Sequence, residues 1–152
     1  MKSRWKVLIG LALLALGLGL WVWLRSPLWL EQFNERQSEA RATFQAQGRL
    51  FGQHNDQQAC LAQTLKAFDG CSGFDCTLQH DYFLKACLAE AAPSPGFCDG
   101  VPAYRVTPTE DDKSWAKYAC WDGNIRGEGC RMLMRQQQYE CSGGVAADAP
   151  AQ

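Results

Sequence analysis

Eight cysteines and two histidines are the residues of this sequence with the most distinctive chemistry. The cysteines are Cys60, Cys71, Cys76, Cys87, Cys98, Cys120, Cys130 and Cys141. An even number of cysteines in a chain of 152 residues favours disulfides over free thiols. A cysteine hydrolase would need a free thiol near His54 or His80, and full pairing leaves none. We therefore expect four disulfides and no catalytic cysteine.

Redox and metal chemistry both depend on cysteine spacing. No Cys-x-x-Cys motif is present, and the closest pair, Cys71 and Cys76, has four residues between its members. This pair could form an exchangeable disulfide, but we favour a structural one. Zinc sites use closely spaced ligand pairs such as Cys-x2-Cys, and the long cysteine intervals here suit disulfides instead. The sequence predicts no metal and no cofactor.

The acidic triplet Glu110–Asp112 is a further candidate, for calcium or for a cationic partner. It also lies at the predicted start of a helix, where carboxylates interact favourably with the helix dipole, and we favour this structural role. A paired-carboxylate glycosidase would show no local motif. The sequence has no phosphate loop, dinucleotide fingerprint or nucleophile elbow. A formal charge of −1 also argues against nucleic-acid binding by bulk charge.

Cysteine intervals predict the disulfide pairing in the first half. Cys60 and Cys71 are eleven residues apart, as are Cys76 and Cys87. Eleven residues of helix extend roughly 16 Å, which is beyond the reach of a disulfide within one helix. Two antiparallel helices, the first capped by Asn55 or Asp56, would instead join Cys71 to Cys76 and Cys60 to Cys87.

The second half repeats this arrangement imperfectly. Thr107-Pro108-Thr109-Glu110 predicts a capping box with proline at the first helical position. That helix leads to Cys120, and a last helix carries Cys130 and Cys141, with Gly127 and Gly129 weakening its start. Cys120 and Cys130 flank a turn and are expected to pair. Cys98 then pairs with Cys141, although exchange among these last four cysteines stays open.

The predicted domain contains few aliphatic residues. Only nine Leu, Ile or Val residues lie between residues 55 and 144, so disulfides must compensate for a thin core. Aromatic residues are expected to supply the remaining buried surface. They are Phe68, Phe83, Phe97, Trp115, Tyr118 and Trp121.

Residues 7–24 form an uncharged apolar run of 18 residues. As a helix it would extend roughly 27 Å, close to the thickness of a hydrocarbon core. A cleaved signal peptide is the alternative, but no cleavage pattern follows and we favour an anchor. Disulfides form on the non-cytosolic side of a membrane. We therefore expect a bacterial inner-membrane protein with residues 1–6 in the cytoplasm and the cysteine domain in the periplasm. Ala15 and Gly19 would allow homo-oligomers through this helix, although ordinary membrane-helix glycine is favoured.

Residues 26–52 predict a helical stalk that restarts at Ser26-Pro27. A thin apolar stripe of Phe33, Ala40, Phe44 and Phe51 follows it, and packing on its own domain is favoured over packing on a partner. Gly48 and Gly52 are expected to end this helix. The cysteine domain then covers residues 55–141, and residues 142–152 are expected to be a flexible tail.

Together these patterns predict an all-α protein. A transmembrane helix and a helical stalk precede a small disulfide-stapled bundle of helical hairpins. We expect no catalysis, but protein binding as an accessory or scaffold module of an envelope complex, with an unknown protein partner. The first alternative is an immunity or inhibitor protein against a periplasmic toxin or hydrolase. The second is a periplasmic hydrolase or thiol–disulfide exchanger. From residue 26 onward the chain has 11 basic and 16 acidic residues, a charge of −5 that suits a basic partner or solubility alone.

Overall fold

The computed structural model describes residues 2–148, except for the side chains of residues 2–4 and 26–28. It is mostly helical, and no strand occurs within the described residues. The helices are α1 (Lys2–Gly52), α2 (Gln57–Phe68), α3 (Phe74–Leu88), α4 (Glu110–Asp122) and α5 (Glu128–Cys141). The predicted predominance of helix is therefore confirmed.

Helix α1 is long and apolar. Within it, an 18-residue window has a mean hydropathy of 2.4 and is 0% buried, which makes α1 the one helix of the described residues able to cross a membrane by length and composition. Its backbone is helical through residues 26–28, so the predicted restart at Ser26-Pro27 is wrong. A proline inside a helix removes one backbone hydrogen bond and can kink the helix without ending it.

The chain forms two structural units, residues 1–39 and residues 40–152. In the first unit, the Trp29 and Phe33 rings stack with their centroids 5.8 Å apart, and Phe33 is exposed. In the second unit, Phe44 contacts His80, and Phe51 contacts Phe83. The predicted apolar stripe is thus divided, with only its carboxyl-terminal part packed against α3.

Two glycines allow the last turns of α1 to approach α3 closely. A Cβ atom on Gly48 would collide with the carbonyl oxygen of Phe83, and one on Gly52 with the carbonyl oxygen of Cys87. Gly48 therefore lies inside the helix as a packing residue, and the prediction that it ends the helix is wrong. The sequence alone could not separate a glycine that ends a helix from one that permits a close crossing.

Helices α2 and α3 follow the predicted local signals. The Asp56 carboxylate caps α2 by accepting the Ala59 N–H at 2.8 Å. Gly70, with a φ of 78°, follows the end of α2, and Gly73 directly precedes α3. Two disulfides join the pair, one at each end. Helix α5 then packs against both α3 and α4.

The start of α4 differs from the predicted one by two residues. Thr109, not Thr107, is the N-cap: its hydroxyl accepts the Asp112 N–H at 3.2 Å, while the Asp112 carboxylate accepts the Thr109 N–H at 2.9 Å. The sequence offers two overlapping capping boxes, which begin at Thr107 and at Thr109. Burial of Asp112 beside Arg105 favours the second.

The core is small, as the composition predicts. Phe68 and Phe97 are buried, and Phe83 and Trp115 are partly buried against them. Tyr118 and Trp121 are 56% and 39% exposed, so the expectation that they fill the core is wrong for these two. Their rings instead contact each other edge to face on the surface, with centroids 5.6 Å apart.

The chain after α5 makes contacts that the prediction of a flexible tail from residue 142 did not include. The Ser142 hydroxyl accepts the Tyr104 N–H at 2.8 Å, and the Ala147 N–H donates to the Tyr104 carbonyl at 2.7 Å. The Asp148 carboxylate accepts the N–H groups of Val106 and Thr107. Residues 149–152 lie outside the described residues.

Candidate functional site

All eight cysteines form disulfides. The bridges join the pairs that the spacing predicts, including the two in the second half: Cys60–Cys87, Cys71–Cys76, Cys98–Cys141 and Cys120–Cys130. They close loops of very different length, from a sequence separation of 5 for Cys71–Cys76 to 43 for Cys98–Cys141.

The four bridges differ in exposure. Cys60, Cys87 and Cys130 are 0% exposed and Cys120 is 2% exposed, so these two bridges lie inside the core. Both sulfur-bearing residues of Cys71–Cys76 are only half-buried, and Cys98 is exposed. Two bridges, Cys71–Cys76 and Cys98–Cys141, are therefore formed by residues that lie at least partly at the surface.

His80 lies beside the Cys71–Cys76 bridge. Its ring nitrogen and the two sulfur atoms all lie within 4.8 Å of one another. The His80 ring is also held edge-on between Phe44 and Phe68, with centroid distances of 6.0 and 5.7 Å. Burial lowers the pKa of His80, so its imidazole is neutral at neutral pH.

This cluster is the one group of three or more His, Cys, Asp or Glu side chains with metal-binding geometry within the described residues. Its two sulfur atoms are bonded to each other, so they stand here as a disulfide and not as thiolate ligands. The other histidine, His54, makes a different contact: its Nδ1 lies 3.0 Å from the Leu50 carbonyl oxygen.

A groove of about 920 Å³ opens next to this bridge. Its walls come from the loop and first turn at the start of α3, the first half of α4, and the loop and first two turns of α5. We call it the basic groove. Cys71 and Phe68 lie in its lining, and Phe74, which is 70% exposed, stands at its edge.

Basic side chains outnumber acidic ones in the groove. The lining contains four basic residues, Lys113, Arg126, Arg131 and Arg135, and two acidic ones, Asp112 and Glu128. Asp112 forms a salt bridge with Arg105, which lies outside the lining, and Glu128 forms one with Arg131 at 2.8 Å. The groove therefore carries a local surplus of positive charge on a unit whose sequence is mildly acidic.

Ring contacts hold two of these arginines at the surface. Arg126 lies over the Trp121 ring at 4.4 Å, and Arg135 lies over the Tyr104 ring at 4.9 Å. Arg135 also donates to the Arg105 carbonyl oxygen at 2.7 Å. These contacts limit the motion of the two guanidinium groups while leaving their charges available for a bound group.

The acidic triplet Glu110–Asp112 lies in the first turn of α4, which fits the favoured structural role. Asp112 completes the capping box, and Glu110 pairs with Lys113 at 2.7 Å. The three carboxylates do not form a metal-binding cluster among the described residues.

Sequence reasoning missed the basic groove. One signal could have indicated it: Gly-x-x-Cys occurs twice, at Gly73–Cys76 and at Gly127–Cys130. In both copies the glycine has a positive φ, 98° and 109°, and directly precedes a helix. The cysteine in the first turn of that helix then bonds to a cysteine near the end of the preceding helix, Cys71 just after α2 and Cys120 in the last turn of α4. The groove lies where these two copies meet.

No known protein family matches this chain, and no curated protein or solved structure matches it.

Proposed function

We propose that the chain is a membrane-anchored, periplasm-facing protein-binding module, an accessory or scaffold subunit of a bacterial envelope complex. In this proposal, α1 is the membrane anchor, and the second unit, with its bundle of helical hairpins, binds an acidic segment of a partner protein in the basic groove. The observation that carries the proposal is the groove itself, which combines apolar walls with a surplus of basic side chains.

Charge complementarity supports an acidic partner. The lining carries two more basic than acidic side chains. Lys113 and Arg131 already pair with Glu110 and Glu128, so the positive charge offered to a partner comes from Arg126 and Arg135. Complementary charge accelerates encounter and selects among partners, whereas the apolar wall supplies buried surface. The charge of −5 from residue 26 onward suits a basic partner or solubility alone, whereas the groove favours an acidic partner.

An exposed aromatic side chain supports the same site. Phe74 is 70% exposed in the groove lining, at the first position of α3 and within the segment that the Cys71–Cys76 bridge closes. Aromatic residues held on rigid supports lose little conformational entropy on binding and are common hot spots of interfaces. Phe74 would therefore serve as an anchor beside the arginines.

The compartment is inferred from two features together. The apolar window of α1 has the length and composition of a membrane span, and four disulfides indicate an oxidising environment. Both agree with an anchor that delivers the second unit to the periplasm.

Photo-crosslinking in cells would test the proposal. A photoreactive amino acid replaces Phe74 in the full chain, and Val145, which is 62% exposed and lies outside the groove lining, is the matched control position. We expect a discrete adduct from Phe74 that Arg126→Glu reduces at least about tenfold, since charge reversal at an interface costs more than 1.4 kcal/mol. An absent adduct, or one that forms equally from Val145, would contradict the proposal.

The identity of the adduct separates two roles. A structural subunit of an envelope machine would indicate the accessory role. A secreted toxin or hydrolase would indicate the immunity or inhibitor alternative, which uses the same groove without catalysis.

A further inference from the structure

We propose that the Cys71–Cys76 bridge is a reactive disulfide that exchanges with a pair of thiols on a polypeptide bound in the basic groove. This activity goes beyond binding, and it does not depend on the partner being acidic. The observation behind it is the cluster of two half-buried, disulfide-bonded cysteines and one imidazole, of which Cys71 lines the groove.

The groove indicates which sulfur is attacked. Cys71 lines the groove, whereas Cys76, the third residue of α3, does not belong to the lining. A thiol that arrives through the groove therefore meets the Cys71 sulfur first. Cys76 becomes the leaving group.

The surroundings of Cys76 stabilise a leaving thiolate. It lies in the first turn of α3, whose N-cap Gly73 provides no side-chain hydrogen bond to the backbone N–H groups there. The positive end of the helix dipole favours a thiolate at this position, and the acidic side chain of Asp75 in the same turn offsets part of that effect. His80 lies one helical turn further on, within 4.8 Å of the sulfur, and can accept and return a proton.

The exchange needs no other oxidant. A thiolate of the bound polypeptide attacks the Cys71 sulfur, the Cys71–Cys76 bond breaks, and its electron pair goes to the Cys76 sulfur, which takes up the proton released by the attacking thiol. The second thiolate then attacks the polypeptide sulfur of the mixed disulfide and releases Cys71, which takes up the second proton. Two thiols of the polypeptide become one disulfide, and one disulfide of this chain becomes two thiols.

The other bridges lack this combination. Cys60–Cys87 and Cys120–Cys130 are buried in the core, where thiols have no access. Cys98–Cys141 is accessible but does not belong to the cluster with His80. It therefore serves as the matched control for a surface disulfide without the proposed surroundings.

Selective reduction of the native protein is the first test. The full chain in detergent micelles is treated with reduced glutathione, quenched with acid, alkylated and mapped by peptide mass spectrometry. We expect Cys71–Cys76 to be reduced at least about tenfold faster than Cys98–Cys141, because its leaving thiolate is stabilised. Equal rates, faster reduction of Cys98–Cys141, or no reduction in the folded protein would overturn the proposal.

The position of the mixed disulfide tests the assignment of the attacked sulfur. The native chain is reacted briefly with an uncharged peptide that carries one reduced cysteine, which keeps this test independent of the acidic-partner proposal. The mixture is quenched with acid, and the attachment site is mapped by peptide mass spectrometry without a reducing agent. We expect the peptide to be attached to Cys71; equal attachment to both cysteines, or attachment to Cys76, would overturn the assignment of Cys71.

His80→Phe tests the imidazole while keeping an aromatic ring between Phe44 and Phe68. We expect a slower reduction of Cys71–Cys76 and, in the reduced protein, a weaker thiolate absorbance near 240 nm at neutral pH. Circular dichroism of the same variant establishes that the helices are retained. An unchanged absorbance and an unchanged reduction rate would remove His80 from the site.

Discussion

At the scale of single residues, Asp112 is the buried charge with the most partners. Its side chain is 3% exposed, and both carboxylate oxygens lie 3.2 Å from the same Arg105 nitrogen. Burial alone would raise the pKa of Asp112, but hydrogen bonds with the backbone and side chain of Thr109 and with Arg105 lower it below its ordinary value of 3.8. The ionised form of Asp112 therefore stabilises the folded state.

We expect Asp112→Asn to lower the free energy of unfolding at pH 7 by about 2 kcal/mol, because it removes a buried charge-assisted contact. The folded pKa is below the unfolded one, so this stabilisation is complete well above pH 3.8 and is lost as the pH falls through the folded pKa. The free energy of unfolding, measured with urea at pH 7 and at pH 3, should differ less between the two pH values for the variant than for the unmodified chain.

Glu110→Gln is the matched control for this prediction, since the Glu110 side chain is 87% exposed in the same helical turn. It should change the free energy of unfolding by less than about 0.5 kcal/mol. If the free energy of unfolding depends on pH equally in Asp112→Asn and in the unmodified chain, ionisation of Asp112 is not the source of that dependence.

At the scale of elements, the contact of α1 with α3 depends on Gly48 and Gly52. We expect Gly48→Ala and Gly52→Ala each to destabilise the second unit, because overpacking against a backbone carbonyl costs about 1–3 kcal/mol. The intrinsic helix preference of alanine, about 1 kcal/mol, offsets only part of this cost. Thermal unfolding followed by circular dichroism measures the change.

Gln47→Ala is the control for these two variants, because Gln47 is exposed on the same helix. It should leave the midpoint of unfolding unchanged or raise it slightly. If the two glycine variants behave like Gln47→Ala, the close crossing of α1 and α3 is not what holds these helices together.

Loop length predicts how much each surface disulfide contributes to stability. The Cys71–Cys76 bridge closes a sequence separation of 5 and the Cys98–Cys141 bridge one of 43. Loop-closure entropy then gives about 2 kcal/mol for the first and about 4 kcal/mol for the second. Urea unfolding of the double variants Cys71→Ser/Cys76→Ser and Cys98→Ser/Cys141→Ser should show the larger loss for the second. The reverse order would mean that native contacts, and not loop closure, set these contributions.

At the scale of the whole molecule, the side of the membrane on which the second unit lies determines whether its cysteines can form disulfides. We expect a reporter enzyme that is active only outside the cytosol to be active when it is fused after residue 152, and the chain to stay in the membrane pellet after alkaline extraction. Mass spectrometry of the intact chain should find residues 1–24 retained and all eight cysteines oxidised. An inactive reporter would contradict the orientation, and loss of residues 1–24 would indicate a cleaved signal peptide.

The local features of the fold could be predicted from nearby residues. Of the two expected caps, Asn55 and Asp56, it is Asp56 that caps α2. The cysteine intervals of the first half predict the observed bridges because helix rise limits which sulfur atoms can meet. Predictions failed where two local signals competed. Thr107 and Thr109 both begin a capping box, and the aromatic character of Tyr118 and Trp121 indicates burial although their rings contact each other on the surface.

The sequence by itself determined the predominance of helix, the apolar run and the disulfide pairing of the first half, since each follows from the period of the backbone and from the chemistry of neighbouring side chains. The spacing of the last four cysteines leaves their pairing open. Only the tertiary structure decided the role of Gly48 and Gly52, the surroundings of His80 and the existence of the basic groove. Those features depend on residues that are distant in sequence, such as Phe44 beside His80 and Arg126 near Cys71, and they exist only once the helices have packed.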